Sequence, residues 1–128
     1  MLYTEEQKLE LEQIIEVFQD YLENSPYLDL VWSDKVGYVL LKISTEHRHL
    51  EGESLVIDDG ETLCQELFSE IVTDVLQYFG NDHCSKAVDS LEAEEIARKF
   101  QPYLDRLPQY KKIAEACYGI EKGCRNAE

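Results

Sequence analysis

The chain has 128 residues, 44% hydrophobic and 30% charged, with a formal net charge of −15 from 12 Lys+Arg against 27 Asp+Glu. That length suits one globular domain over residues 1–128, able to bury roughly two thirds of the surface its unfolded form exposes, and the composition excludes disorder and a fibrous class. The sign of the charge argues against nucleic acid and against an anionic membrane surface, both of which call for a basic footprint.

The charge is also unevenly placed. Residues 1–95 hold five bases and 23 acids, net −18, whereas residues 96–128 hold seven bases and four acids, net +3. Such a field attracts cations: a basic protein surface, a metal ion or a positively charged small molecule. No stretch approaches the roughly 20 apolar residues of a membrane span, and MLYTEEQKLE lacks the basic start and apolar centre of a signal peptide. A cytoplasmic location is expected. The four cysteines, Cys64, Cys84, Cys117 and Cys124, include no C-x-x-C pair, so reduced thiols are expected.

Thr4-Glu5-Glu6-Gln7 has the form of a capping box and opens a helix. Leu11, Ile14, Ile15, Phe18, Tyr21 and Leu22 recur at helical spacing until Asn24-Ser25-Pro26, where Pro26 disfavours helical geometry in the residue before it. YLDLVW and VGYVLLKI then read as an antiparallel hairpin over about residues 27–43, turning at Ser33-Asp34-Lys35. The first run alternates and is expected to be half buried; the second is apolar nearly throughout and is expected to be central. After a polar insert, Ser54-Leu55-Val56-Ile57 forms a candidate third strand.

Asp58 or Asp59 can cap the next helix. Cys64, Leu67, Phe68, Ile71, Val72, Val75, Leu76 and Phe79 make its core-facing stripe, which ends at Gly80-Asn81. A third helix is expected within residues 85–107, capped by Ser90, with Leu91, Ile96, Ala97, Phe100 and Leu104 facing inward and Pro102 kinking or ending it. A last helix starts at Pro108 and runs through Ile113, Ala114 and Cys117 to Gly119. The order predicts an α+β domain: an N-terminal helix, a small antiparallel sheet of two or three strands, then three helices packing on the sheet.

Among residues that could carry chemistry, His47 and His49 flank Arg48 in STEHRHLEGE. On a strand they share one face about 6–7 Å apart and could hold a divalent ion such as zinc, with Glu46, Glu51, Glu53, Asp58 or Asp59 as further ligands. A metal-binding protein or metal-dependent enzyme built on these two histidines is therefore the alternative reading; the simpler one is a solvated loop. Cys64 and Cys117 are expected in the core, Cys84 beside His83 is the exposed thiol, and Cys124 lies in the tail. Gly-rich phosphate loops, G-x-S-x-G and H-E-x-x-H are all absent from the sequence, so catalysis has no motif to rest on.

Two features point to binding. Trp32, the single tryptophan, ends a hairpin strand, and several of the eight tyrosines, namely Tyr27, Tyr103, Tyr110 and Tyr118, fall at expected edges, where such residues anchor interfaces. By alternation with Leu28 and Leu30, however, the Trp32 ring belongs in the core. The expectation is a small acidic, non-catalytic binding or regulatory protein of inhibitor, immunity or regulatory-subunit type, with no cofactor. It engages a basic protein surface through an acidic face of Glu12, Glu16, Asp20, Glu66, Glu70 and Asp74. Self-association of the basic C-terminal third with the acidic remainder is the other expected partnership.

Overall fold

The computed structural model describes residues 2–43, 54–80 and 89–117. They form an α+β fold in the expected order: α1 (Glu5–Asn24), β1 (Leu28–Ser33), β2 (Gly37–Lys42), β3 (Ser54–Val56), α2 (Gly60–Tyr78), α3 (Ser90–Arg106), a 3-10 turn (Pro108–Tyr110) and α4, whose described part is residues 111–117. The chain divides into two compact units, Met1–Leu63 and Cys64–Glu128, with the boundary inside α2. Among the described residues no helix is long and apolar enough to cross a membrane.

In the first unit, α1 begins as its sequence predicts. Thr4 Oγ1 accepts from the Gln7 amide at 3.1 Å, and Gln7 Oε1 accepts from the Thr4 amide at 2.9 Å, so two otherwise orphaned donors are satisfied reciprocally. The helix ends at Asn24, before Ser25-Pro26. Leu11, Ile14, Val17 and Phe18 are its buried residues, so the buried stripe includes Val17 and leaves Ile15 half buried.

The sheet has strand order β1-β2-β3 with both pairings antiparallel, which puts the nearly all-apolar second run in the centre. Its turn lies one residue later than Ser33-Asp34-Lys35: Ser33 pairs with Gly37, leaving Asp34, Lys35 and Val36 as the connection. Gly37 follows that turn at φ 85°, a left-handed conformation that glycine adopts without the Cβ clash other residues meet. Leu30 and Leu40 face each other across β1 and β2, with Leu55 beyond Leu40 on β3, so one sheet face carries Leu28, Leu30, Trp32, Tyr38, Leu40 and Leu55. Leu28 and Leu40 are buried, as are Ile57 and Leu63.

Tyr3, just ahead of α1, ties this unit together. Its hydroxyl accepts from the Tyr38 amide at 2.8 Å and donates to the Ile57 carbonyl at 2.7 Å. The Tyr38 carbonyl accepts in turn from the Ile57 amide at 2.9 Å. A Cβ placed on Gly37 would lie 2.3 Å from Tyr3 Oη. A side chain at residue 37 is thus opposed twice, by backbone conformation and by the tyrosine.

In the second unit, the α2 stripe is buried as predicted from Cys64 to Leu76, and Phe79 past its end is exposed. The cap, from the first unit, is Asp59, whose Oδ1 accepts from the Thr62 amide at 2.9 Å. For α3 two expectations need correction. The cap is Asp89 rather than Ser90: Asp89 Oδ1 accepts from the Glu92 amide at 2.8 Å while Glu92 Oε1 accepts from the Asp89 amide at 2.9 Å. Leu91 is exposed at 66% and Ala97 is also exposed, because Glu92, Ile96 and Phe100, four residues apart, define the buried face and Leu91 and Ala97 lie off it. Of the two outcomes expected at Pro102, an end to the helix does not occur: Pro102 lies inside α3, which continues to Arg106. Phe68 and Phe100 meet edge to face with centroids 4.7 Å apart, joining α2 to α3. On the outer face of α3 the Arg98 guanidinium pairs with Glu95 and holds its carboxyl below the usual range, an exposed pair of little energetic weight.

Two measurements check this account. Gly37→Ala should cost about 2 kcal/mol or more in urea unfolding, and the cost should fall to about 1 kcal/mol when Tyr3 is also alanine, since only the left-handed backbone is then opposed. Asp89→Ala should destabilise by about 1 kcal/mol, whereas Ser90→Ala should change stability by a few tenths at most.

Candidate functional site

The first unit carries an aromatic cluster at the turn end of its hairpin. The register places Trp32 of β1 directly opposite Tyr38 of β2, so both side chains leave the same face of the sheet. Their rings meet edge to face, centroids 5.0 Å apart and planes at 76°. Tyr3 joins them from the start of α1, 6.2 Å from Tyr38 and 6.3 Å from Trp32. The Trp32 indole Nε1 donates to Asp34 Oδ1 at 2.9 Å, which fixes the ring's orientation from the adjacent turn.

The expectation that Trp32 is a core residue is overturned: it is 52% exposed. Alternation assigns the ring to the same face as Leu28 and Leu30, but Trp32 stands one pair short of the hairpin turn, and its described aromatic neighbours are Tyr3 and Tyr38. Tyr3 and Tyr38 are half buried, so the three rings grade from packed to open. A large indole left half in water, with its N–H already satisfied, retains an apolar face to offer.

The surroundings are acidic. Asp34 borders the indole, and Glu12 of α1 is close enough to act on Tyr38 electrostatically. Partial burial first, then the negative charge of Glu12, then Tyr3 raise the Tyr38 hydroxyl above its ordinary value. A neutral phenol is therefore favoured in the fold.

The six acids expected on a partner-binding face divide between the two units. Glu12, Glu16 and Asp20 recur at every fourth position of α1, so they form one stripe, and all three are exposed. Glu66, Glu70 and Asp74 form a second stripe on α2, with Asp74 exposed and Glu66 and Glu70 half exposed. Glu12 alone belongs both to a stripe and to the surroundings of the aromatic cluster.

The other candidates are placed as follows. His47 and His49 lie outside the described residues, as do His83, Cys84, Tyr118 and Cys124; among the described residues no group of three or more His, Cys, Asp or Glu side chains is placed to hold a metal ion. Cys64 and Cys117 are buried thiols, as their stripes predict, and the Cys117 thiol donates to the Gln65 carbonyl at 3.3 Å. Tyr27 is exposed at the hairpin's base, Tyr103 is half buried, and Tyr110, expected at an edge, is buried. In the second unit a groove of about 320 Å³ runs between α3 and α4, floored by Ile96, Phe100, Leu104 and Ala114, with Lys111 and Glu115 at its rim. Its lining is mostly apolar, without the convergent polar groups that orient a reactant.

Sequence reasoning missed Tyr3 and Tyr38. The signal was present in Gly37: a glycine that needs φ > 0 after a three-residue turn sets the register, and that register pairs Trp32 with Tyr38.

The raised Tyr38 value has a consequence for stability. A phenol favoured in its neutral form contributes stability that is present below the unfolded value near 10 and is lost as pH rises through the folded one. With tyrosine labelled at the ring carbon bearing oxygen, NMR titration should show Tyr38 ionising above the ordinary tyrosine value. Glu12→Gln should bring Tyr38 part of the way back, since burial, the larger cause, remains. Comparison of the chain with family models, with curated proteins and with solved structures finds no match to any of them.

Proposed function

We propose that this protein is a small acidic, non-catalytic binding or regulatory protein that engages a basic protein surface, acting in the cytoplasm in the manner of an inhibitor, immunity protein or regulatory subunit. The observation that carries the reading is the half-exposed Trp32, held by Asp34 and backed by Tyr3 and Tyr38, on a unit whose first helix presents an acidic stripe. Trp and Tyr are the residues most enriched where binding energy concentrates, and charge around them governs the rate at which a partner of opposite sign arrives.

The α1 stripe supports the same reading through its cost. Like charges four apart on a helix repel by a few tenths of a kcal/mol per pair, and Glu12, Glu16 and Asp20 present two such pairs in succession. The division of labour follows: the stripe raises the encounter rate over a distance set by the Debye length, about 10 Å at 0.1 M salt, and the aromatic cluster slows dissociation.

The test uses a dodecapeptide of alternating lysine and arginine and measures its association rate by stopped flow. Reversal of Glu12, Glu16 and Asp20 to lysine should slow association about tenfold or more at low salt and make little difference at about 500 mM. Reversing Glu94, Asp105 and Glu115 instead, an equal change of net charge elsewhere on the exposed surface, should have the smaller effect. Association that ignores salt, or that responds equally to both reversals, would count against the α1 face as the binding surface.

A further inference from the structure

We infer that the exposed face of Trp32 is the seat for an arginine side chain of the partner, with the guanidinium over the indole and the carboxylate of Asp34 as its counter-charge. This rests on the reading of the protein as a binder of basic surfaces and specifies the chemistry recognised at its centre.

Three observations lead to it. The aromatic rings are fixed before any partner arrives: Trp32 is held at its edge by Asp34, Tyr38 abuts it edge to face, and Tyr3 is locked by two backbone hydrogen bonds. Little ordering is therefore left to be done on binding. The centroids lie only 5.0–6.3 Å apart, so the rings occupy the space between themselves and leave no slot for a cation inside the cluster. A ligand must lie on the outer, water-exposed face of Trp32, the most exposed of the three residues. A flat contact on one open indole suits a planar cation better than the compact ammonium of lysine, which gains most from being surrounded.

The third observation is the position of Asp34. Its carboxylate already lies in contact with the indole edge, so a guanidinium stacked on the ring comes within reach of it. The guanidinium is planar and weakly hydrated and carries five donors in a fork, which allows it to stack on an aromatic face and hydrogen-bond a carboxylate at the same time. Tryptophan is the ring that attracts such a cation best, and the net negative charge of the chain adds to the attraction. Asp34 thereby acts as a selectivity element beside the ring, while the α1 stripe supplies attraction that does not distinguish arginine from lysine.

The experiment compares dodeca-arginine with dodeca-lysine on the intact chain at low salt, reading Kd by calorimetry and Trp32 emission by fluorescence. Because Trp32 is the single tryptophan, its emission reports this seat alone. Dodeca-arginine should bind about two- to fivefold tighter, the scale of one exposed cation–π contact, and should perturb the emission. Dodeca-lysine should leave the emission nearly unchanged. Trp32→Leu should remove the preference while both peptides still bind with steep salt dependence, and Asp34→Asn should reduce the preference. If both peptides bind equally, with emission undisturbed, the arginine seat is refuted and the binding of basic surfaces stands. If neither binds at low salt, the broader reading falls and the seat falls with it. The emission of the wild-type chain decides the matter even should a variant fold poorly.

Discussion

The hydroxyl of Tyr3 both accepts and donates, and the first unit is organised about that fact. By accepting from the amide of Tyr38 and donating to the carbonyl of Ile57, it joins the start of α1 to the central strand and to the end of β3. Buried or half-buried backbone groups need partners, and a side chain that satisfies two of them at once fixes the relative placement of three segments. The requirement propagates. The tyrosine approaches so near to residue 37 that only hydrogen fits there, and the same residue must take a left-handed conformation to close the hairpin. The position of the Tyr3 ring then defines one side of the aromatic cluster, so the exposed indole is an outgrowth of a structural knot rather than part of a loop laid over it.

Much of this architecture could be read from local sequence because local sequence determined it. Thr4 with Gln7, the proline at 26 and the α2 stripe from Cys64 to Leu76 each act over a few positions, and each appears where expected. The failures have a common physical origin in small offsets. Placing the hairpin turn at Ser33–Lys35 opposes Trp32 to Val36; moving it one residue opposes Trp32 to Tyr38 and creates the cluster. Asp89 and Ser90 are both good caps, but only Asp89 has a glutamate three residues on to complete the reciprocal pair. Tyr3 could not have been found by pattern, because its partners lie 35 and 54 residues away. For Trp32 alternation gave the face correctly, but not how far cover extends along that face.

The acidic character of the chain resolves into local arrangements with different consequences. At Asp59 and Asp89 carboxylates cap helices and are part of the fold. At Glu95 a carboxylate is matched to an arginine one turn away. On α1, by contrast, Glu12, Glu16 and Asp20 repeat the same sign along one stripe. Capping and pairing act within one helical turn, whereas the α1 stripe sets a field of one sign along an exposed helix face, and it is on that local field, and not on net charge as such, that the reading of an interaction surface draws.

The buried thiols have a consequence of another kind. Cys64 and Cys117 lie in the second unit at 0% and 2% exposure, whereas Trp32 lies in the first. Nature has thus supplied each unit with its own reporter: alkylation of the thiols follows the opening of one, and tryptophan emission follows the loss of structure in the other. Coincident midpoints in denaturant mean that the 128 residues melt as one cooperative system, and separated midpoints mean that the chain is energetically two proteins sharing a helix.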